Sequence, residues 1–493
     1  MELGLNDTIA AIATPVGESG IGIVRISGKD AISLADKVFV SKDGKKAVDF
    51  KPYSMYYGWV TKNKDFDKPD KIDEVLLTVM RAPKSFTRED VIEINCHGGI
   101  VAVRAVLELV LENGCRLAEP GEFTKRAFLN GRIDLTQAEA VLDIIRAKTD
   151  SALKIGIEQL KGVLSKELNE IREGVLEILS LVEANIDFPE EDIDTTGIGQ
   201  INPGRLNPDG FNRARRGNPD KISNTACGIK AGLEGINNKM KAVLETSRYG
   251  RVMREGINVV ICGRPNVGKS SLLNALLKQE RSIVTHIAGT TRDTIEEIID
   301  IKGIPVQIVD TAGILEPRDL MEKKAVLRSK KYIDSADLAI VLFDGSKKLT
   351  KNDKTLIKKL KKRTSIALIN KSDLKQKIEK EKILKEFEHV VLISAKKLLN
   401  INLLEDSIVN LVYKGKISGS SEKVLISNMR HIGKLKNAQK LIAQTLDSLD
   451  NKLSLEFIAQ DIKESLGWLD EILGRKFSED LLDKIFNDFC IGK

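Results

Sequence analysis

Short apolar runs separated by glycines characterise residues 1–122. Ile21 to Ile26 and Val91 to Ile94 are rich in β-branched side chains, which predicts strands, and Ile100 to Glu112 has the apolar spacing of a helix. We therefore expect a compact α+β domain at this end of the chain.

A helical pattern begins at Asp134. Apolar residues recur at every third or fourth position between Leu153 and Val182, which predicts one continuous stripe along a long helix, packed into a core. Helical spacing resumes near Ile229 and returns from Asn428 to the end of the chain. We assign these segments to an all-α domain in two parts, 123–255 and 413–493.

Strands and helices alternate between Val259 and about Leu411. This alternation predicts an α/β domain at 256–412, inserted into the helical domain, and such an insert is tolerated when its two ends lie close together. Between Thr195 and Asn224 the composition changes abruptly to Gly, Pro, Asn and Arg. That change predicts an exposed loop or a disordered insert, to which the sequence assigns no function.

The composition limits the class of protein without naming it. The 493 residues are 42% hydrophobic, which suffices for several cores, and 78 Lys and Arg against 71 Asp and Glu give a net charge of +7. This mild basic excess permits a nucleic-acid partner but does not argue for one. The sequence shows no signal-peptide pattern, no apolar run of membrane length and no CxxC pair among its five cysteines. We therefore expect a soluble, cytoplasmic protein. The four histidines lack metal-ligand spacing, so we predict no zinc site.

The first chemical motif follows the strand predicted at Asn258 to Cys262. It reads Gly-Arg-Pro-Asn-Val-Gly-Lys-Ser from Gly263 to Ser270 and precedes a helical segment that begins at Ser271. Strand, phosphate loop and helix in this order are typical of nucleotide-binding domains. The glycines allow backbone N–H groups to face phosphates, Lys269 can reach the outer oxygens, and the Ser270 hydroxyl can ligate Mg²⁺.

Three further motifs each end an apolar strand. Asp310-Thr311-Ala312-Gly313 can hold Mg²⁺ through water and meet the γ-phosphate, and Asn370-Lys371-Ser372-Asp373 precedes Ser394-Ala395-Lys396. The Asp373 carboxylate can accept both guanine N1–H and the 2-amino group, donors that adenine lacks, so the predicted ligand is GTP. The four motifs together assign nucleotide contacts to Asn266, Val267, Gly268, Lys269, Ser270, Ser271, Asp310, Thr311, Ala312, Gly313, Asn370, Lys371, Asp373, Ser394, Ala395 and Lys396.

Two residues bear on how GTP would be hydrolysed. Ile314 follows Gly313, where Ras-like enzymes carry the glutamine that orients the attacking water, and isoleucine cannot do this. Asn266 lies in the phosphate loop, where a carbonyl oxygen could face the phosphates. It can either hold a monovalent cation that replaces an arginine finger or serve only as a structural asparagine.

Almost the whole chain resembles the MnmE (TrmE) family of tRNA uridine-modification GTPases, and the stretch from Thr195 to Asn224 has no counterpart in it. Beyond the nucleotide motifs, the likeness rests on the following segments: Gly20 to Gly28, Ser85 to Asp90, His97-Gly98-Gly99, Pro120 to Thr124, Asn130 to Leu135, Ile186 to Pro189 and the terminal Cys490-Ile491-Gly492-Lys493. The resemblance implies a multidomain protein. Its parts are an α+β N-terminal domain that dimerises and binds folate, an all-α domain, and an inserted α/β P-loop G domain of Ras-like fold.

The same resemblance implies a reaction and its partners. Together with the flavoprotein MnmG, which carries FAD, the family installs a carboxymethylaminomethyl-type group at C5 of the tRNA wobble uridine. The one-carbon unit comes from 5-formyl-tetrahydrofolate or a related tetrahydrofolate. GTP hydrolysis is triggered when the G domains dimerise around K⁺. We therefore expect a homodimer and a heterotetramer with MnmG.

Site residues implied by the resemblance extend the set. K⁺ is expected on the Asn266 side chain and on backbone oxygens of Thr285, Ile287 and Thr290, and Mg²⁺ on Ser270 and Thr291. Glu322 takes the water-orienting role that Ile314 cannot fill. The folate pocket draws on the four residues Arg25, Glu93, Arg132 and Lys493, and Cys490 is the cysteine of functional importance. Arg132 stands where some relatives carry lysine, and Ala325 replaces a glycine after Glu322.

Some alternatives stay open on the sequence. The chain could be a regulatory GTP switch or assembly factor whose N-terminal domain only binds proteins. Cys490 could be a buried thiol instead of a reagent. The Lys-rich region from Lys347 to Lys385 is either a solvated face or a surface that touches RNA.

Overall fold

The computed structural model describes residues 7–62, 70–187, 220–279, 296–310, 336–361, 363–413 and 424–493. Two compact units make up the chain: Met1–Leu142 with Asp470–Lys493, and Asp143–Leu469. No helix within the described ranges is long and apolar enough to cross a membrane. The finer domain bounds expected from the sequence stay a prediction.

A seven-stranded sheet organises the first unit. Its strands are β1 (Ile9–Ile12), β2 (Gly22–Ser27), β3 (Phe39–Ser41), β4 (Met55–Thr61), β5 (Lys71–Met80), β6 (Val91–Cys96) and β7 (Arg116–Leu117). They lie in the order β3-β4-β5-β6-β2-β1-β7, and the pairs are antiparallel except for β1 with β7. Alternate side chains of these strands, such as Val24 and Ile26 on β2, are buried, as expected when one face of a sheet covers a core.

Two helices bury their apolar faces in that core. They are α1 (Ala31–Val38) and α2 (Ile100–Glu112), whose Ala35 and Val106 are fully buried together with the sheet residues. The expected α+β fold is confirmed, and the bounds of α2 agree with the helix predicted from its apolar spacing.

Three more helices and the end of the chain form a second cluster of the first unit. They are α3 (Glu122–Leu129), the first part of α4 (Leu135–Arg146) and, near the carboxyl end, α15 (Glu479–Phe486). Phe128, Leu135, Leu482, Phe486 and Phe489 pack together there. A β-bridge between Pro120 and Ile491 then attaches the last residues.

Some of the helices predicted for the all-α domain lie in the second unit. They are α5 (Asp150–Leu160), α6 (Val163–Asp187), α7 (Asp220–Glu245), α8 (Ser247–Glu255), α13 (Met429–Asp450) and the first part of α14 (Leu455–Leu473). These helices bury apolar side chains. Fully buried examples are Leu168 and Val175 on α6, Leu233 on α7 and Leu435 on α13.

The prediction of one long helix from Leu153 to Val182 is wrong. Gly162 has φ of +85°, a left-handed conformation that glycine adopts without strain, and its N–H bonds to the carbonyl of Gln159. The segment therefore breaks into α5 and α6. Leu153 and Ile157 on α5 remain 37% and 38% exposed, so the predicted core stripe holds for α6 only.

Helix α7 begins at Asp220, nine residues before the point near Ile229 where helical spacing was expected. The end of the predicted loop or disordered insert, Thr195 to Asn224, is therefore wrong, and residues 195–219 of it lie outside the described residues. A proline followed by an aspartate, Pro219-Asp220, is typical of a helix start, and the Gly- and Asn-rich composition masked this signal.

A six-stranded sheet forms the α/β part of the second unit. Its strands are β8 (Ile257–Gly263), β9 (Glu296–Ile301), β10 (Ile304–Asp310), β11 (Leu338–Asp344), β12 (Ser365–Asn370) and β13 (His389–Leu392). The order is β13-β12-β11-β8-β10-β9, parallel except for the antiparallel pair β9–β10. Every residue of β11 and β12 is buried, as expected for parallel strands covered on both faces.

The helices of this α/β part are α9 (Lys269–Gln279), α10 (Lys351–Leu360), α11 (Lys380–Leu384) and α12 (Ile401–Tyr413). One apolar core holds Leu272 of α9 and Ile408 of α12, and a second holds Ile357 of α10 and Ile383 of α11. The predicted α/β P-loop fold is confirmed. Because the parallel strands end at one edge, the loops after β8, β11 and β12 converge there.

Candidate functional site

The phosphate loop joins β8 to α9. The buried Lys269 donates from Nζ to the carbonyl oxygens of Gly263 and Arg264, 3.1 Å away in each case, so its ammonium group lies against the loop. Gly268 has φ of +106°, and a Cβ there would lie 2.3 Å from Asn370 Nδ2. Only glycine fits at this position, and the loop is thereby shaped to face backbone N–H groups towards an anion.

Asn266 has φ of +63°, a left-handed conformation that asparagine tolerates better than most residues, and its side chain is exposed. Ser270 and Ser271 lie in the first turn of α9, also exposed. The side-chain oxygens of Asn266 and Ser270 are therefore accessible on the phosphate loop and at the helix start.

Asn370 connects three loops at the edge of the sheet. Its Nδ2 donates to the carbonyl of Val267, 2.8 Å away, and its Oδ1 accepts from the N–H groups of Lys371 and Ala395 at 2.8 and 3.0 Å. The buried Asn370 side chain thus ties the phosphate loop to the two loops that carry the predicted guanine motifs. Sequence reasoning placed Asn370 against the nucleotide; these contacts add a positioning role that the sequence did not reveal.

Asp373 is placed to accept hydrogen bonds from a base. Ser394 Oγ, from the fully buried Ser394, donates to Asp373 Oδ1 at 2.6 Å, and this bond lowers the pKa of the exposed Asp373 carboxyl. The backbone around Ser394 is fixed by a bridge to Leu399. Lys396, the next predicted contact, is exposed in the same loop. A carboxylate that stays ionised is an acceptor only, as recognition of guanine donors requires.

Lys371 binds back to the phosphate loop. Its Nζ donates to the Asn266 carbonyl at 3.0 Å and to Asp344 Oδ2 at 2.7 Å. Burial would raise the pKa of Asp344, but the bonds from Lys371 and Ser346 outweigh it and lower the pKa. Asp344 is thus a residue of the site that sequence reasoning missed, although its position at the end of β11 is a usable signal.

A second missed pair links the phosphate loop to α10. Arg264 Nε donates to Asp353 Oδ1 at 2.9 Å, and the carboxylate is almost fully buried. Asp353 also completes a capping box with Thr350 at the start of α10. The capping box is readable from the sequence, whereas a pair separated by 89 positions is not.

A different cluster of polar groups lies in the first unit, where β2 and β6 pair Arg25 directly with Glu93. Arg25 Nε and Nη2 both lie 2.8 Å from Glu93 Oε1, and Arg25 Nη1 donates to the Gly492 carbonyl at 3.1 Å. Gly492 has φ of +94°, and a Cβ there would lie 2.2 Å from the Ile12 carbonyl oxygen. The end of the chain is therefore part of this cluster.

Aromatic rings border the cluster. The Arg25 guanidinium lies 5.7 Å from the centroid of the Phe123 ring, and the Phe123 N–H donates to the Lys493 carbonyl at 3.2 Å. Arg132 lies over Phe86 at 4.8 Å and donates from Nη1 to the Phe86 carbonyl at 3.0 Å. Because Phe86 packs against the cluster that contains Phe123, the predicted residues Arg25, Glu93, Arg132 and Lys493 gather around one group of rings.

Comparison with known proteins decides the family. A model described as "MnmE helical domain" matches residues 135–490, and one described as "GTP-binding protein TrmE N-terminus" matches residues 8–132. The tRNA modification GTPase MnmE of Clostridioides difficile (strain 630) is 46% identical over 491 residues, 99% of this chain and 100% of that protein. The MnmE of Alkaliphilus metalliredigens (strain QYMF) is 43% identical over 497 residues, with the same two coverages.

The chain belongs to the MnmE family of tRNA modification GTPases. As an MnmE-family protein it is an enzyme that hydrolyses GTP, and tRNA modification implies a tRNA substrate. The resemblance inferred from the sequence motifs is thereby confirmed over the full length.

Several predicted MnmE site residues lie outside the described residues: Thr285, Ile287, Thr290, Thr291, Thr311, Ala312, Gly313 and Glu322. Asp310 ends β10, and its side chain is not described. Across the described ranges, no group of three or more His, Cys, Asp or Glu could hold a metal ion. Of the six residues predicted to ligate Mg²⁺ or K⁺, the structure describes Asn266 and Ser270.

Cys490 differs from the other described cysteines of this MnmE chain. Cys96, Cys115 and Cys262 are buried, and burial raises the pKa of Cys96 and Cys262 to about 11 and that of Cys115 to about 12. Their thiols stay protonated and shielded, whereas Cys490 is exposed. The alternative of a buried, inert Cys490 is therefore wrong, and its chemical role stays a prediction.

A buried ion network supports the N-terminal part of the MnmE fold. The fully buried Arg126 donates from Nη2 to Asp7 at 2.6 Å and Glu122 at 2.9 Å, and from Nη1 to Glu89 at 3.1 Å. Arg116 also pairs with Glu122. Sequence reasoning did not single out Arg126; its spacing of four from Glu122 on a helix was the available signal.

Proposed function

We propose that the protein couples GTP hydrolysis to folate-dependent modification of the tRNA wobble uridine, acting with the flavoprotein MnmG. The product is a carboxymethylaminomethyl-type group at C5 of that base. The observation that carries the proposal is the Arg25–Glu93–Gly492 cluster, which a pure GTP switch does not need. We propose that this reaction takes place in the cytoplasm.

The nucleotide site supplies binding and orientation. Lys269 and the loop N–H groups hold the phosphates, and Asp373 accepts from the guanine edge. Ser270, with Thr291, would hold Mg²⁺, and Asp310 would act on it through water. The exposed hydroxyl at the start of α9 fits a hard cation that prefers oxygen donors. The ion would neutralise charge that develops on the phosphates.

Potassium is proposed on the other side of the loop. The Asn266 side chain is exposed, and the bond from Lys371 holds the backbone carbonyl of the same residue. That side chain would ligate K⁺. Backbone oxygens of Thr285, Ile287 and Thr290 would complete the set. An all-oxygen donor set fits this cation, whose charge would take the place of an arginine finger. Glu322 would orient the attacking water.

Folate is proposed at the Arg25–Glu93 cluster. Both close contacts of Arg25 use Glu93 Oε1, so within the described residues Oε2 accepts no hydrogen bond. This oxygen can accept from the amidine-like donor edge of a pterin, while Arg132 or Lys493 suits the glutamate carboxylates of 5-formyl-tetrahydrofolate. Arg25 positions Glu93 through its two contacts with Oε1.

The resemblance to the MnmE family also suggests how the protein associates with itself and with MnmG. We propose a homodimer formed by the N-terminal domains and a heterotetramer with MnmG, in which FAD is carried only by MnmG. Pairing of two G domains around K⁺ would switch hydrolysis on.

Deleting the gene tests the proposal as a whole. Loss of the modified wobble uridine, measured by mass spectrometry of tRNA nucleosides and restored by the wild-type gene, is expected. Intact modification in the deletion strain would favour the regulatory GTP switch instead.

Calorimetry with 5-formyl-tetrahydrofolate tests the pocket. Glu93→Gln should weaken binding about tenfold to a hundredfold because ring donors lose an ionised acceptor. Glu108→Gln, an exposed carboxylate on α2, is the matched control. Unchanged affinity in Glu93→Gln would remove Glu93 from the pocket.

A further inference from the structure

Basic charge is concentrated in one short segment of the chain. Residues 347–385 carry 15 Lys and Arg against 4 Asp and Glu, which leaves 63 against 67 in the remainder. The whole excess of +7 therefore derives from these 39 residues, and the rest of the chain is slightly acidic. A face that served only solubility would not need such a local excess.

Helix α10 turns much of this charge outward. Asp353, Ile357 and Leu360 are buried, whereas Lys351, Lys354 and Lys358 are exposed. The latter three recur at i, i+3 and i+7, so they form one stripe that rises about 10 Å along the helix. Lys347 and Lys348 before the helix and Lys359 within it are also exposed. We refer to these six lysines as the lysine face.

Nearby acidic groups do not cancel this charge. Glu379 pairs with Lys382 at 2.7 Å, and Glu386 pairs with Lys361 at 3.0 Å. The pKa of Glu379 is lowered first by its bond to Lys382, with smaller contributions from Lys354 and Lys348, so α10 and α11 share one surface. Within the described part of the chain, none of the six lysines of the lysine face forms an ion pair.

We propose that the lysine face docks the phosphate backbone of the tRNA substrate. The inference rests on the proposed function, in which tRNA is the polyanion that the enzyme must hold. A basic stripe along an exposed helix is the electrostatic footprint of nucleic-acid binding, and such contacts position the substrate without reading its sequence. The lysine face therefore contributes affinity and orientation, and recognition of the wobble base occurs elsewhere.

The test variant replaces Lys351, Lys354 and Lys358 with Gln in the full-length protein. Glutamine keeps the helix propensity and lacks the charge. The matched control replaces Lys241, Lys436 and Lys440, three exposed lysines of α7 and α13, with Gln. Both variants have the same net charge, so a difference between them reports location and not total charge.

Binding of unmodified tRNA is measured by fluorescence anisotropy between about 50 and 200 mM salt. The α10 variant should bind roughly tenfold or more weakly at low salt, and its plot of log affinity against log salt should be shallower by about 2 to 3. The control should match the wild type, and GTP hydrolysis without tRNA should be the same in all three proteins.

Two outcomes would overturn the inference alone. In the first, the wild type modifies tRNA, and the α10 variant binds tRNA with the same affinity and the same salt slope as the wild type. If that variant instead loses its association with MnmG, the lysine face would be assigned to MnmG. In the second, the control variant loses as much affinity for tRNA as the α10 variant does. A wild type that neither binds nor modifies tRNA would overturn the proposed function as well.

Discussion

At the scale of single residues, the loops of the site are joined by polar contacts of 2.6 to 3.0 Å. Ser394 orients Asp373, Lys371 holds the Asn266 carbonyl, and Asn370 joins three loops. Sequence motifs predicted Asp373 and Asn266 because their residue types and order are diagnostic. They could not predict Asp344 or Asp353 as partners, since those contacts depend on how distant strands and helices are placed.

We expect Asp373 to set the choice of base. Replacing it with Asn introduces a donor where only an acceptor was present, so Asp373→Asn should shift preference towards xanthine nucleotides, with guanine preference reduced by about a hundredfold or more. Competition binding of GTP and XTP measures this. Ser394→Ala removes the bond to the Asp373 carboxylate and the one that Ser394 Oγ accepts from the Lys397 N–H, and it should weaken affinity with the preference retained. Unchanged guanine selectivity in Asp373→Asn would refute the assignment.

Asn266 should make hydrolysis depend on K⁺. We expect faster GTP turnover in K⁺ than in Na⁺, on the order of a hundredfold, because the cation neutralises charge in the transition state. Asn266→Ala should abolish this difference while GTP binding is largely retained. Because Ala is strained at φ of +63°, Asn266→Gly provides an unstrained second variant. Equal rates in the two salts for the wild type would exclude the cation.

At the scale of elements, the spacing of apolar residues predicted the position of α2 well, and a glycine accounts for the exception at α5 and α6. The apolar spacing of α2 gave its bounds correctly. The same reasoning merged α5 and α6, because a stripe of leucines continues through Gly162 even though the backbone does not. The sequence could not predict that Leu153 and Ile157 on α5 stay partly exposed, because their exposure depends on which other helices pack against α5.

The Glu122 carboxylate should make helix α3 sensitive to acid. Burial alone would raise its pKa, but bonds from Arg116, Glu119 N–H and Arg126 lower it below 4.5. A lowered folded-state pKa means that the stabilisation is complete above pH 4.5 and is lost as pH falls through the folded value.

The comparison is between the wild type and Glu122→Gln. The variant should lose on the order of 3 kcal/mol of unfolding free energy at pH 7, because the buried Arg126 loses a charged partner. This difference should shrink below pH 4.5 as the wild-type carboxyl becomes protonated. Glu119→Gln, an exposed neighbour, should change little. Chemical denaturation across pH 3.5–7.5 measures both, and a difference independent of pH would contradict the linkage.

At the scale of the whole molecule, the two ends of the chain meet in one site. The terminal Lys493 and Gly492 bond to Phe123 and Arg25, and Ile491 pairs with Pro120. The resemblance to the family predicted that residues from both ends of the chain contribute to the folate pocket, because the N-terminal motifs and the terminal Cys490 to Lys493 are both part of that resemblance. Composition and periodicity alone could not predict it, since contacts separated by hundreds of positions leave no local pattern.

Removing Cys490 to Lys493 should therefore separate two activities. A chain ending at Phe489 should lose tRNA modification and retain GTP hydrolysis, because the nucleotide loops all lie within residues 256–412. Nucleoside analysis of tRNA and phosphate release measure the two. Cys490→Ser, which keeps the tail, distinguishes a need for the thiol from a need for the Arg25 contact. A truncated protein that still modifies tRNA would remove the tail from the chemistry.

The bond between Arg264 and Asp353 joins the loop that meets the phosphates to the first turn of α10. Binding at these two places therefore obeys thermodynamic reciprocity: if GTP changes the position of α10 and so the affinity for tRNA by some factor, tRNA must change the affinity for GTP by the same factor. The Asp353 carboxylate is the contact that links these two places, and any coupling free energy between them would act equally on the nucleotide and on the tRNA.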